Sequence, residues 1–193
     1  MEKPTSDAIK ETKKWKTLPS MITPRYHFGA TAIEDKICVA GGWDEQGRYL
    51  SSAEVYDCKS KKWSPLPDMN EKHSGCAVTS VGGKVYAVGG GNGYKRLASC
   101  EMFDPDTNEW SAIPSMKRVP NDCASCAIGD KLYVIGDDGD GTSLSSVEVY
   151  NTITQEWSSL LNMTTERNGC AAVSVRYKIF VSGGWGGGGR RET

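Results

Sequence analysis

The sequence predicts an all-β chain, a β-propeller assembled from four-stranded antiparallel blades, and three observations carry that expectation. Gly41-Gly42, Gly89-Gly90, Gly136-Asp137 and Gly183-Gly184 stand 48, 47 and 47 residues apart. Trp15, Trp63, Trp110 and Trp157 keep the same three intervals, each 26 residues ahead of its glycine. Between these markers lie short segments rich in β-formers, separated by turn residues, four to a repeat. A fixed period of about 20 to 50 residues marks a repeat architecture, and four antiparallel strands per unit with large aromatics at set places is what a propeller blade requires.

Within each repeat the first two strands are joined by only two residues: Glu34-Asp35, Gly82-Gly83, Gly129-Asp130 and Arg176-Tyr177. Gly-Gly and Gly-Asp suit the left-handed backbone of a tight hairpin, so these strands are expected to be antiparallel neighbours. Lys36, Lys84, Lys131 and Lys178 open the second strand, and the glycine pair closes it. The third strand carries Ala53-Glu54-Val55-Tyr56, Cys100-Glu101-Met102-Phe103 and Val147-Glu148-Val149-Tyr150. Its aromatic, Tyr56, Phe103 or Tyr150, precedes the blade's Trp by seven residues, with a polar hairpin such as Asp104-Pro-Asp-Thr-Asn108 between them. Three complete blades are expected at about 27–66, 75–113 and 122–160, with the first two strands of a fourth at 169–184 and a lone strand around Trp15. The position matching Tyr56 in that lone segment is Ala8, so no third strand is expected there. Residues 1–14 read as a poorly ordered extension, and the glycine-rich tail 186–193 is expected to supply no strand.

The chain has 193 residues, 38% of them hydrophobic, and 23 Lys and Arg against 24 Asp and Glu. A net charge of −1 provides no field to draw nucleic acid or an anionic bilayer, so recognition must be local. The start MEKPTSDAIKETKK lacks the apolar core of a signal peptide and no later run approaches a membrane span, which points to the cytoplasm, with the nucleus as alternative. Seven cysteines in a reducing compartment are expected as thiols.

Several motifs imitate chemistry. KVYAVGGGNGYK, residues 84–95, looks like a strand entering a phosphate loop, yet its glycines recur in four repeats and mark a blade corner. Cys123-Ala-Ser-Cys126 is a lone pair whose first member shares a column with Phe28, Cys76 and Cys170, a packing position rather than half of a zinc site. The Asp-rich run 137–148 lacks the alternating ligands of a calcium loop. Glu54, Glu101 and Glu148 recur once per blade and are expected to bind a basic or backbone donor between blades. With two histidines and no nucleophile beside a base, the chain reads as a non-enzyme with no metal and no cofactor.

The glycine pair closing the second strand, the Glu-Val-Tyr-Asp type of third strand and the Trp, at about 47 residues per unit, resemble the kelch repeat. Trp63-Ser-Pro-Leu-Pro-Asp-Met69 and the run from Tyr150 to Trp157 are similar to the kelch-like proteins that carry their propeller behind a BTB domain. The resemblance spans residues 15 to about 185. It implies a ring of usually six blades, so this chain reads as part of a propeller, with a partner-completed or self-closed four-bladed ring as alternatives. It further implies binding of a short peptide degron of a protein partner, in the setting of substrate recognition for a cullin-RING ubiquitin ligase. An actin-binding or cytoskeletal scaffold role is the alternative, and a small-molecule enzyme a third, since kelch propellers include a copper oxidase and a sialic acid epimerase.

The turns after strands two and four leave the blade on one side, and only these vary in a way that suggests use. Blade one places Arg25, His27, Trp43, Arg48 and Tyr49 there, and blade two His73, Tyr94, Lys95 and Arg96. Blade three adds Asn121, Asp122, Asp137, Asp138 and Asp140, and blade four Arg167 and Trp185. Basic and aromatic anchors beside an acidic sector suit an extended peptide with at least one acidic residue, held by Arg48, Lys95 or Arg96.

Overall fold

A computed structural model describes residues 16–139, 142–186 and 189–190. Trp15, the extension 1–14 and Asp140 lie outside the described residues. Three four-stranded antiparallel sheets follow one another along the chain. Blade one is β1 (Gly29–Ile33), β2 (Lys36–Ala40), β3 (Ala53–Asp57) and β4 (Lys62–Leu66). Blade two is β5 (Ala77–Val81), β6 (Lys84–Val88), β7 (Cys100–Asp104) and β8 (Glu109–Ile113). Blade three is β9 (Ala124–Ile128), β10 (Lys131–Gly139), β11 (Thr142–Asn151) and β12 (Glu156–Ser159). Then come the two-stranded sheet β13 (Ala171–Val175) with β14 (Lys178–Ser182), and a short pair β15 (Trp185–Gly186) with β16 (Gly189–Arg190). The last pair corrects the expectation of a strandless tail. Trp185 also exchanges two backbone hydrogen bonds with Asn168, and this anchors the segment leading into the turn.

Each blade is built by local chemistry. The two-residue turns put Ile33 opposite Lys36 and Val81 opposite Lys84, and even Glu34 and Arg176 adopt positive φ, 52° and 57°, to make them. In the β3–β4 hairpin and its counterparts, an Asp or Asn side chain accepts from amides two or three residues on: Asp57 from Lys59 and Ser60, Asn151 from Ile153 and Thr154. The aromatics then meet across the strand pair, with ring centroids 5.3 Å apart for Tyr56–Trp63, 5.4 Å for Phe103–Trp110 and 5.0 Å for Tyr150–Trp157.

The first strands of successive blades face one another, β1 with β5, β5 with β9 and β9 with β13. Two apolar clusters fill the junctions. Cys38, Ala40 and Ala53 meet Cys76, Val78, Val85 and Phe103 between blades one and two, and Val81, Tyr86 and Cys100 meet Leu132, Val134 and Tyr150 between blades two and three. Each tryptophan also ties its blade to the segment leading into it, since Trp63, Trp110 and Trp157 donate their indole N–H to the carbonyls of Pro19, Pro67 and Pro114. The corner glycines make the close approach possible. A Cβ on Gly89 would sit 2.5 Å from the Pro120 carbonyl of the segment leading into blade three, and one on Gly41 would strike the carbonyl of His73.

Blade three departs from the pattern where Asp137 replaces the second glycine. With Gly136 in place at φ 60° but no second glycine after it, β10 continues past a bulge after Ile135 and pairs Asp137 with Leu144 and Asp138 with Ser143. The expected acidic loop is therefore an extended hairpin.

A candidate functional site on the loop face

Loops of blades one and two enclose a cleft of about 460 Å³ lined by His27, Trp43, Tyr49, Ser74, Gly75, Gly91, Gly93, Tyr94, Lys95, Arg96, Asn121 and Asp122. Its two long loops are shaped alike by a side-chain cap. Asp44 accepts from the amides of Gln46 and Arg48, and Asn92, one repeat later, from those of Tyr94 and Lys95. These turns lift Tyr94, 97% exposed, and Lys95 onto the rim. Trp43 packs at a tilt against Tyr26 and His27, with ring centroids 5.3 and 6.0 Å apart, while the Tyr49 ring lies against Gly93, where a Cβ would come within 3.0 Å of it. The His27 ring is 3.8 Å from the Asp122 carboxylate. A second depression of about 540 Å³ shares His27, Gly75 and Asp122 with the first and continues to Cys76, Cys123, Asn168, Cys170 and Trp185.

Of the residues expected on this face, His27, Trp43, Tyr49, Tyr94, Lys95, Arg96 and Asn121 come together in the cleft, and Trp185 stands in the adjoining depression. Arg48 does not: it is exposed, and its Nε donates to Asp44 at 2.6 Å outside the cleft lining. Arg25, His73, Asp137 and Arg167 are buried, which corrects their expected place among the exposed contacts. Asp137 accepts from the Ser146 hydroxyl, and Asp138 stands in the extended hairpin. Asp122 lines the cleft as well, and exposed Tyr26 packs against Trp43 as an aromatic that sequence reasoning passed over.

The buried basic side chains have a shared structural role. Arg25, His73 and Arg167 occupy one column of the repeat, with Pro120 between them, at intervals of 48, 47 and 47 residues. Arg25 donates to the Gly41 carbonyl at 2.8 Å and to Glu54 at 2.7 Å. His73 binds the Gly89 carbonyl through Nδ1 at 2.7 Å and faces Glu101 at 3.4 Å, and Arg167 donates to the Gly183 carbonyl at 2.5 Å. The expected role of the repeated glutamates follows from the same contacts. Glu54 also accepts the amides of Ile22 and Thr23, Glu101 those of Asn70 and Glu71, and Glu148 those of Lys117 and Arg118. Burial alone would push the Glu54 and Glu101 carboxyls up. Hydrogen bonds from Arg25 and His73 respectively, followed by the amides, outweigh it and hold both below the ordinary carboxylate value. The interval rule that revealed the glutamates could have revealed Arg25 and His73 as their side-chain partners.

All the cysteines except exposed Cys58 are buried or half-buried among the blades. All seven are free, and burial pushes Cys38, Cys76 and Cys100 up to about 12, far from reactive thiolates. Among the described residues no group of three or more His, Cys, Asp or Glu is placed to hold a metal, and no helix is long and apolar enough to cross a membrane.

Comparison with known proteins agrees with this architecture. The KLHDC2/KLHL20/DRC7 Kelch-repeats domain matches residues 9–184. Similar curated proteins include the F-box/kelch-repeat protein At1g26930 of Arabidopsis thaliana, 38% identical over 79 residues, covering 41% of this chain and 19% of that protein. Kelch-like protein 41a of Danio rerio is 46% identical over 77 residues, covering 40% and 13%, and Beta-scruin of Limulus polyphemus 35% identical over 80 residues, covering 42% and 9%. The matched segment thus spans less than a fifth of these relatives' length. The solved structure of YjhT superposes with a TM-score of 0.79 at 20% identity, covering 90% of this chain and 63% of that one, a likeness of fold. With its blades, corner glycines and tryptophan ties, this chain belongs to the kelch-repeat family and carries three complete propeller blades and part of a fourth.

Proposed function

We propose that this chain is a protein-interaction module whose loop-face cleft holds an extended peptide segment of a partner. The observation that carries the reading is the cleft itself, which exposed Tyr94 and Lys95 line together with Trp43 and Tyr49 on a rigid blade scaffold. Rigid aromatics provide contact area at small entropic cost, and a lysine adds a site for a carboxylate. The cleft's charge is mixed, since Asp122 lines it together with Lys95 and Arg96, so a peptide carrying both a carboxylate and a donor fits it better than a purely acidic one. By family resemblance, the partner would be a protein bound for degradation through a cullin-RING ubiquitin ligase.

Selection from a displayed peptide library, followed by calorimetry on the selected peptides, tests the reading. Lys95→Glu and Tyr94→Ala are each expected to weaken binding about tenfold, an interface contribution of roughly 1.4 kcal/mol, with the melting temperature unchanged because both residues are exposed. Arg48→Glu, outside the cleft, is expected to leave binding intact. Retained binding in the Lys95 and Tyr94 variants overturns the assignment, and co-sedimentation with filamentous actin by a route insensitive to them favours the scaffold alternative.

A further inference from the structure

The turns after strands one and three gather on the side of the blades away from the cleft, and there blades one and two part around a groove of about 330 Å³. Blade one lines it with Ile33, Cys38, Val55 and Leu66, and blade two with Val85 and Phe103. Ile33, Val55 and Leu66 are only half-buried, so the junction leaves apolar surface open to contact. The groove is a product of the repeat. Val81, Met102 and Ile113, one repeat after Ile33, Val55 and Leu66, line its counterpart of about 540 Å³ between blades two and three. Both grooves lie between complete blades.

The charge, unlike the groove, does not repeat. Glu34 from blade one and Asp106 from blade two line the first groove, and one repeat later Gly82 and Ile153 take their places. Neighbouring lysines are engaged elsewhere: Lys84 meets Asp104 at 2.7 Å, Lys59 meets Asp35 at 2.6 Å, and Lys36 lies across the strand pair from Asp57. Lys59 is the blade-one residue in the column of Asp106, and Gly83 stands in blade two where Asp35 stands in blade one, so that pair has no counterpart for Asp106. Among the described residues neither Glu34 nor Asp106 has an ion-pair partner within 4.0 Å. Two exposed carboxylates, one from each wall of an apolar groove, favour a cationic neighbour. We propose that this groove docks a segment of a protein partner in which an apolar side chain stands between lysines or arginines. The apolar side chain seats against Ile33, Val55 and Leu66, and the basic ones pair with Glu34 and Asp106. The groove is at the small end of ligand clefts, roughly 300–1000 Å³, which suits a short motif. No residue lines both this groove and the loop-face cleft, so the two surfaces can bind independently.

Methyl NMR of the full 193-residue chain, titrated with an array of short peptides that carry Leu, Met or Phe between two Lys or Arg residues, tests this. The expected result is saturable shifts at the methyls of Ile33, Val55 and Leu66 that weaken as salt rises, with no response to the same peptides carrying Glu in place of the basic residues. Glu34→Lys and Asp106→Lys are each expected to weaken binding about two- to fivefold, the scale of an exposed ion pair. Val55→Asp, or Leu66→Ser should the first variant lose its folded circular dichroism, is expected to abolish it. Four results overturn the proposal: no saturable shift at millimolar peptide, binding indifferent to both charge reversals, equal binding of the acidic peptides, or shifts that appear instead around Tyr94 and Lys95 or equally at Met102 and Ile113.

Discussion

Removal of the Glu54 carboxylate tests how the blades are tied to the segments that lead into them. Glu54→Ala leaves the Arg25 guanidinium buried without its 2.7 Å partner, and strands the Ile22 and Thr23 amides that the carboxylate accepts at 2.7 and 2.9 Å. Breaking a buried ion pair from one side costs about 3–5 kcal/mol, much of it the price of the orphaned charge. Blade three contains the control. Glu148 sits in the same column and accepts two amides, those of Lys117 and Arg118 at 3.1 Å, but Pro120 stands where Arg25 and His73 stand in the other blades. Glu148→Ala should therefore cost only the two amide bonds, about 1–3 kcal/mol. Both variants strand two amides, so urea denaturation at neutral pH, with the slope checked for constancy, is expected to place Glu54→Ala about 3–5 kcal/mol below Glu148→Ala, the cost of the broken ion pair. A double variant, Arg25→Met with Glu54→Leu, should recover much of the loss, because no charge is then left buried. Equal costs for the two alanine variants, or a larger one at Glu148, would show that the cation contributes nothing to the tie and refute the argument.

Two further outcomes follow from the same contacts. The Glu54 and Glu101 carboxyls are held below their ordinary value of 4.5, so the folded chain binds fewer protons there than the unfolded chain. Their stabilisation is complete above that value and lost as pH falls below it through the folded values; a denaturation series in acid should show this loss, and Glu101→Gln should flatten it. Gly89→Ala combines a left-handed φ of 66° with a Cβ 2.5 Å from the Pro120 carbonyl, whereas Gly183→Ala at φ 69° meets open space. The first should therefore lower the melting temperature well beyond the second, whose cost is about 1 kcal/mol of backbone strain; similar losses would remove the close approach as the reason for the glycine.

Strand positions, the tight hairpins and the tryptophan column were legible in the sequence because each is set by neighbours a few residues apart. A side-chain cap at Asp57 or Asn151, a two-residue turn and an aromatic seven residues from its Trp recur visibly on the repeat interval. The repeated glutamates were legible too, but not the identity of their donors. The loop face was legible only in part. Repetition separated the variable loops from the monotonous ones, yet it could not distinguish Arg48 from Lys95, or His27 from His73.

By itself the sequence determined the kelch architecture of this chain, since a 47-residue rhythm of glycine, aromatic and tryptophan is a local property repeated along the chain. Only the tertiary structure decided which polar residues line the loop-face cleft and which hold the blades together. Arg25 reaches Glu54 across 29 residues, and the lining of the cleft is drawn from segments as far apart as His27 and Asp122. Burial is conferred by the blade next door, and a column of basic residues reads the same on paper whether its charges face solvent or a carboxylate.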